Sequence, residues 1–207
     1  MKSELLMIFV RNPIIGTVKT RLASKIGNKL ALKVYNELTR HTASICEKIK
    51  TKKKVYYSKE IICNDLWSGL VFQKQLQCEG DLGQRMKTAF DEAFDEGYNK
   101  VIIIGSDVYS LSELIIQQAF HELNYHDVVI GPALDGGYYL LGLKMSYPKI
   151  FNNKNWGTKS VLKETLHDLK SKSIFFLNPQ NDVDDYDDLL KENYLLKKLN
   201  INAEYYK

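Results

Sequence analysis

The sequence LLMIFVRNPIIGTVKTR (residues 5–21) indicates the class of fold, because it joins an uninterrupted apolar run to a basic loop. Residues 5–10 are all apolar, and a short run without alternation is typical of a strand buried on both faces of a parallel sheet. Arg11, Asn12 and Pro13 bound the run. Ligands of such sheets bind beyond the carboxyl ends of the strands, so the loop after this strand is the first candidate for a binding site.

Strand and helix patterns alternate along the rest of the chain. Further strands are predicted at residues 54–57, 101–104, 127–133, 138–143 and 173–178, of which residues 101–104 are a fully apolar run. Residues 70–76 are ambiguous and could form another strand. Apolar residues at helical spacing predict helices over residues 28–49, 82–96, 110–123, 158–170 and 186–198. Ser110 and Glu113 have the spacing of a capping box. This order predicts an α/β fold, with a mostly parallel sheet between two layers of helices, in one domain of residues 1–207.

The composition is that of a globular protein and excludes several classes. Hydrophobic residues make up 44% of the 207 residues, which is enough for a sizeable core. A net charge of +4 is too small to predict a nucleic-acid partner. Cys46, Cys63 and Cys78 are odd in number and far apart, so neither a disulfide framework nor a zinc site is expected. The first apolar run is too short for a signal peptide or a membrane span, and we expect a cytoplasmic protein with no membrane partner.

The basic loop after the first strand carries the ingredients of a phosphate site without either common motif. A Walker A loop and a Rossmann fingerprint both need glycines that are absent here. Gly16 still permits close approach of the backbone, and Arg11, Lys19 and Arg21 supply cations that can bind phosphate. Taken alone, the segment remains open between a nucleotide phosphate loop and a charged surface turn.

Aspartates follow other apolar runs. Asp107 follows the strand at residues 101–104 after one glycine and one serine. A carboxylate at the end of a buried strand suits a hard cation such as Mg²⁺. The alternative is a helix N-cap, which Ser110 is better placed to provide. Asp182 and Asp184 follow a later strand and are candidates to complete a Mg²⁺ or Mn²⁺ site with Asp107. The acidic residues after them are expected at a helix N-terminus.

Two segments that contain glycine contribute further candidates. Asp135, Gly136 and Gly137 are either a tight hairpin turn or the acceptor side of a site, in which Asp135 faces a sugar hydroxyl or a metal-bound water. Arg85, in GDLGQRM, is open between a contact to a phosphate or base and a solvated position on a helix. The sequence of each segment leaves both of its interpretations open.

Six segments in this order resemble one family, and they extend from about residue 5 to residue 190. They are FVRNPIIGTVKTRLA, GDLGQRMKTAF, VIIIGSD, VVIGPALDGGYYLLGL, IFNNKNWGT and NDVDDYDDL. The chain resembles the glycosyltransferase-A-like (GT-A) proteins often named radical-SAM/selenodomain-associated transferases. It is similar, more distantly, to phospholactate guanylyltransferase and the molybdenum-cofactor nucleotidyltransferases.

The resemblance implies a GT-A fold, which is a three-layer αβα sandwich with a mixed sheet, and it implies a nucleotide donor and a divalent metal. By motif it makes Asp107 the metal aspartate and residues 135–137 the acceptor-side turn. It places Gly16, Lys19 and Arg21 in the phosphate loop of the family. It places Asp182 and Asp184 in a second acidic motif.

Two positions depart from the family pattern. Arg11 stands where the family usually has a lysine, which keeps the charge. Tyr109 stands where the family usually has a proline, two residues after Asp107. Because proline stiffens a loop, its loss predicts a less rigid site.

Together, the residues and the resemblance predict a metal-dependent transferase that uses a nucleotide donor on a small acceptor. Asp107, with Asp182 or Asp184, would hold the metal against the diphosphate, and Lys19 and Arg21 would offset charge on the phosphates. The donor is either an NTP, in nucleotidyl transfer, or an NDP-sugar, in glycosyl transfer; the sequence leaves both open, together with the acceptor and the oligomeric state. The alternative is a non-catalytic nucleotide sensor that retains the fold, and the lost proline is its best support.

Overall fold

A twisted sheet forms the centre of the computed structural model, which describes residues 2–202 and 205. Its seven strands within those residues are β1 (Lys2–Val10), β2 (Lys52–Tyr57), β3 (Gln73–Leu76), β4 (Tyr98–Ile104), β5 (Val128–Pro132), β6 (Tyr138–Leu143) and β7 (Ile174–Phe176). They lie in the order β3-β2-β1-β4-β6-β5-β7. Strand β6 is antiparallel to both of its neighbours, and the other pairs are parallel. The prediction of a mostly parallel mixed sheet is confirmed.

Helices cover both faces of the sheet. They are α1 (Thr20–Ile26), α2 (Asn28–Lys48), α3 (Leu82–Asp95), α4 (Glu113–Glu122), α5 (Val161–Asp168), α6 (Tyr186–Lys191) and α7 (Asn193–Leu199), with a 3₁₀ helix at Pro148–Phe151. Alternate residues of β1 point to opposite faces, so Leu6 packs with α2 and α4 while Met7 packs with α3 and α5. The three-layer αβα sandwich is therefore confirmed. Among the described residues, no helix has the length and the apolar character needed to cross a membrane.

The start of α4 differs from the sequence prediction. Ser112 is the N-cap, and its hydroxyl accepts a hydrogen bond from the backbone N–H of Ile115. Ser110 lies outside the helix and donates its hydroxyl to the side chain of Gln180. The capping-box prediction for Ser110 was wrong, because spacing alone does not show which of two nearby serines has the extended backbone of an N-cap.

The helix predicted over residues 186–198 is two helices, α6 and α7, with a break at Glu192. In a continuous helix the N–H of Glu192 would bond the carbonyl of Asp188. The side-chain amide of the buried Asn181 donates to that carbonyl instead, at 3.1 Å, and the N–H of Glu192 turns to Leu189. This hydrogen bond comes from Asn181, which precedes the helix, so the periodicity of residues 186–198 did not show the break.

Candidate functional site

The topology brings two of the predicted segments together. From β1 the chain continues to β2 and β3 on one side of β1, and it then returns to β4 on the other side. The carboxyl ends of β1 and β4 therefore form a topological switch point, where ligands of open α/β sheets bind. The loop after β1 carries Lys19 and the loop after β4 carries Asp107, and their side chains form an ion pair of 2.8 Å there.

Lys19 is the most constrained residue of this site. Its backbone lies in the left-handed region, with φ of 49° and ψ of 47°, at the N-cap of α1. A residue with a side chain costs about 1–2 kcal/mol in this conformation, so the surrounding contacts must hold it. The side chain is only 4% exposed and places its Nζ 2.8 Å from Oδ1 of Asp107 and 3.3 Å from Oδ1 of Asp184. Burial disfavours the charged ammonium, but the two carboxylates outweigh that effect and raise the pKa of Lys19.

Asp184 reaches the site because its segment lies beside the loop after β4. Val108 and Asp182 form an isolated antiparallel bridge, and the N–H of Val183 donates to the carbonyl of Asp107. Asp184 lies just before the N-cap of α6, and its Oδ2 accepts a hydrogen bond from Nη1 of Arg21 at 3.4 Å. The Arg21 side chain is 67% exposed, so this ion pair is weak and leaves the guanidinium free to move.

A surplus of negative charge collects next to this ion pair. Asp182 is half-buried, and burial together with the charges of Asp135 and Asp107 raises the pKa of Asp182 to about 6. The charge of Asp135, predicted on the acceptor side, acts on Asp182, so these two carboxylates lie near each other. The site thus joins a basic loop to a group of acidic residues from three separate segments.

The geometry fits a metal that arrives with phosphate better than a metal held by protein alone. Within residues 2–202 and 205, no three Asp, Glu, His or Cys side chains form a group that could hold a metal ion. The ammonium of Lys19 lies between the carboxylates of Asp107 and Asp184, two of the three predicted ligands. Mg²⁺ commonly takes one or two carboxylates and completes its shell with water and substrate phosphates, and half-exposed aspartates at a switch point suit that role.

The turn of residues 135–137 connects β5 to β6, so the hairpin interpretation describes its backbone. The N–H of Gly137 donates to Oδ1 of Asp135 at 2.8 Å, which fixes the carboxylate. Gly136 has φ of +96°, and its carbonyl accepts from Leu162 at the start of α5. A Cβ at Gly136 would lie 2.5 Å from the carbonyl oxygen of Lys159. The turn is therefore packed against the loop that leads to α5, and its role toward an acceptor stays a prediction.

Arg11 and Gly16 belong to the same basic loop at the carboxyl edge of the sheet, and among the described contacts neither is paired with a carboxylate. Arg11 is exposed, and its backbone is fixed by the hydroxyl of Tyr35, which accepts from the N–H of Arg11 and donates to its carbonyl. Gly16 has φ of +80°, a conformation that glycine adopts without strain. Sequence analysis missed Tyr35, because its position in the apolar pattern of α2 indicated only a core residue.

Arg85 is tied to the end of β1 through one intermediate. Its Nε donates to the carbonyl of Gly80 at 2.9 Å, and its Nη1 lies 3.4 Å from Oε1 of Gln77. The amide of Gln77 donates in turn to the carbonyl of Val10, the last residue of β1. The structure thus brings Arg85 to the carboxyl edge of the sheet, but not into contact with the Lys19 ion pair.

Tyr109 stiffens the loop after Asp107 by packing. Its ring lies 4.6 Å from that of His41 on α2 and 6.1 Å from that of Tyr194 on α7, measured between centroids. His41 in turn places Nε2 3.0 Å from the carbonyl of Leu111 in the same loop. Aromatic contacts with two helices thus hold the segment where the resembled family has proline.

Replacing Tyr109 with alanine is expected to lower the free energy of unfolding by about 2 kcal/mol, since a partly buried aromatic residue and its ring contacts are lost. Urea denaturation of Tyr109→Ala measures this loss. Tyr125→Ala is the matched control, because Tyr125 is 69% exposed and its removal is expected to change stability by much less. Equal losses in the two variants would show that the stack does not hold the loop.

More than half of the chain matches the model of a family of known sequences. The model described as "Uncharacterized protein conserved in bacteria (DUF2064)" matches residues 42–158, which is more than half of the chain. No protein with curated annotation is similar enough in sequence to count as a relative.

Solved structures share the fold along almost the full length. A protein from Desulfovibrio desulfuricans G20, described as a "putative nucleotide-diphospho-sugar transferase", is 28% identical with a TM-score of 0.82, over 96% of this chain and 99% of that one. The 4-diphosphocytidyl-2C-methyl-D-erythritol synthase of Anaerococcus prevotii DSM 20548 is 11% identical with a TM-score of 0.60, over 95% of this chain and 96% of that one. A CMP:2-keto-3-deoxy-manno-octonic acid synthetase, solved with CTP, is 10% identical with a TM-score of 0.54, over 96% and 99%. The fold is thus that of nucleotide-sugar transferases and nucleotidyltransferases, and the resemblance to a GT-A-like family is confirmed.

Proposed function

The chain belongs to the DUF2064 family, and on this premise we propose that it is a metal-dependent transferase that uses a nucleotide donor on a small acceptor. The observation that carries the proposal is the contact of Lys19 with Asp107 and Asp184 at the switch point of the sheet. A buried cation beside half-exposed carboxylates provides both charges that a metal–nucleotide complex requires. The likeness to the 28% identical protein supports the same class.

The basic loop would bind the donor. Lys19 and Arg21 would contact the phosphates and offset the negative charge that develops on them during transfer. Arg11 is exposed at the same edge, and Gly16 permits close approach of the loop backbone to a phosphate. Arg85, held by Gln77 at the end of β1, would contact the donor farther from the ion pair.

The acidic group would hold Mg²⁺ or Mn²⁺ when the donor is bound. Asp107, together with Asp184 or Asp182, would supply the carboxylate ligands, and the metal would act as a Lewis acid toward the diphosphate. Asp135, whose carboxylate is fixed by the N–H of Gly137, would orient an acceptor hydroxyl or a metal-bound water. Gly136 and Gly137 form the turn that presents it.

Two donors fit this arrangement. The basic loop directly after β1 favours an NTP, from which pyrophosphate would leave, whereas the description of the 28% identical protein favours an NDP-sugar. Both require the same contacts to phosphate and metal, so the donor class is decided by the product: pyrophosphate in nucleotidyl transfer, a nucleoside diphosphate in glycosyl transfer.

The test is the thermal stability of the protein with NTPs and NDP-sugars, each with and without Mg²⁺ or Mn²⁺. At least one nucleotide is expected to raise the Tm only when the metal is present. Occupancy at one hundred times the Kd stabilises by about 2.7 kcal/mol, which raises the Tm of a chain of this size by about 5–10 °C. Indifference to every nucleotide would refute the proposal. Metal-dependent binding without turnover of any acceptor would favour a nucleotide sensor.

A further inference from the structure

At the switch point, a buried positive charge lies beneath two half-exposed negative charges. The side chain of Lys19 is 4% exposed, whereas the side chains of Asp107 and Asp184, which its ammonium contacts, are 42% and 45% exposed. The carboxylates therefore face the solvent, from which a metal would arrive, and the ammonium of Lys19 lies behind them. The exposed side chain of Arg21 also contacts Asp184, at 3.4 Å, but on the other carboxylate oxygen. Asp182 adds negative charge near Asp107, and Asp135 adds negative charge near Asp182.

We propose that Lys19 is a resident cation of the donor-free site, and that it exchanges the carboxylates for the donor phosphates when metal and nucleotide bind together. The inference rests on the proposed function and adds a mutual dependence of metal binding and nucleotide binding to it. The metal alone binds poorly, and metal and nucleotide each increase the affinity for the other.

The reason is competition for the same oxygen atoms. Oδ1 of Asp107 and Oδ1 of Asp184 both contact Nζ, so a divalent ion on these atoms either displaces the ammonium or lies within a few ångströms of it. Like charges that close repel strongly in a partly buried site. Phosphate removes the conflict, because it offers the ammonium new acceptors and the metal new ligands. The backbone of Lys19 need not change, since the four-carbon stem of lysine is flexible.

Reciprocity makes the inference quantitative. If nucleotide increases the affinity for metal by some factor, metal increases the affinity for nucleotide by the same factor. Removing the charge of Lys19 should raise the affinity for metal alone and reduce the coupling factor. If Lys19 only bound phosphate, its removal would leave binding of metal alone unchanged.

The experiment measures Mn²⁺ binding without nucleotide, from the loss of the electron paramagnetic resonance signal of free Mn²⁺. Lys19→Met is expected to bind Mn²⁺ on the order of tenfold more tightly than the wild type. Lys19→Arg, which keeps the charge, and Lys29→Met, which removes an exposed lysine of α2, are expected to match the wild type. Circular dichroism checks the fold of each variant, and Lys19→Gln replaces Lys19→Met if methionine is not tolerated.

Equal or weaker Mn²⁺ binding by the neutral variants would overturn the inference. A second measurement needs no variant. In the wild type, the nucleotide that stabilises best should increase the affinity of the protein for Mn²⁺ at least about tenfold, after correction for the Mn²⁺ that free nucleotide binds in solution. Independent binding of Mn²⁺ and nucleotide would also overturn the inference. If no nucleotide binds but Lys19→Met tightens Mn²⁺ binding, the proposed function fails while the competition between Lys19 and metal stands.

Discussion

Asp107→Ala is expected to abolish the rise in Tm that nucleotide and metal produce together, leaving at most the shift that nucleotide produces alone. For the wild type at one hundred times the Kd, we expect a rise of about 5–10 °C. The variant lacks the carboxylate that lies closest to the Lys19 ammonium and that we propose as a metal ligand. Turnover, once an acceptor is found, is expected to fall on the order of a hundredfold to a thousandfold, as when one electrostatic contact to a transition state is removed.

Two further variants separate the metal role from stability. Asp107→Ala also removes a partner of a buried ammonium, so its Tm without ligand is expected to fall. Asp107→Asn keeps the shape of the side chain but not its charge, and it should lose the same metal-dependent shift. Asp187→Ala removes an exposed acidic residue in the first turn of α6 and should behave as the wild type. A metal-dependent shift that survives in both Asp107 variants would remove this residue from the metal site.

Gly136→Ala is expected to be the most destabilising single substitution of the turn at residues 135–137. Its Cβ would lie 2.5 Å from the carbonyl oxygen of Lys159 and 2.7 Å from its Cα, and backbone atoms cannot move aside as a flexible side chain can. Its φ of +96° adds strain for any residue with a side chain. We expect the free energy of unfolding to fall by about 3 kcal/mol or more, measured by urea denaturation.

Gly157→Ala is the matched control for this substitution. Gly157 lies in the same loop region before α5, with φ of +78°, but nothing lies within 4 Å of a Cβ built there. Its loss should therefore reflect backbone strain alone, about 1 kcal/mol. If the two variants lose equal stability, the close packing of the turn on Lys159 contributes nothing.

Most of the architecture could be predicted because its signals are local. The apolar run of β1 and the amphipathic pattern of α2 each lie within one segment, so a single stretch of sequence indicates the element. Predictions failed where a hydrogen bond or a backbone conformation that apolar periodicity does not show decided the local structure. The hydrogen bond from Asn181 to Asp188 ends α6, and the choice of Ser112 over Ser110 as the cap depends on backbone conformation.

The site was predictable as a set of residues and not as an arrangement. Lys19, Asp107 and Asp184 were all candidates, since each follows a strand and has the right chemistry. Their mutual contacts, and the left-handed backbone of Lys19, were not contained in any one segment. Tyr109 shows the same limit: the missing proline predicted a looser loop, whereas the structure provides rings from two helices to pack against it.

Apolar periodicity along the chain is sufficient to predict an α/β sandwich with basic and acidic groups after its strands, because the burial of apolar residues imposes a pattern within each segment. The position of Lys19 between Asp107 and Asp184, and the separation of Arg85 from them, depend instead on how the segments pack together. Lys19 and Asp184 are 165 residues apart in sequence, and they meet because strand order places β1 beside β4 and a third segment pairs with the loop after β4. Such a meeting depends on how the strands are ordered in space, which local patterns of hydrophobicity and charge do not specify.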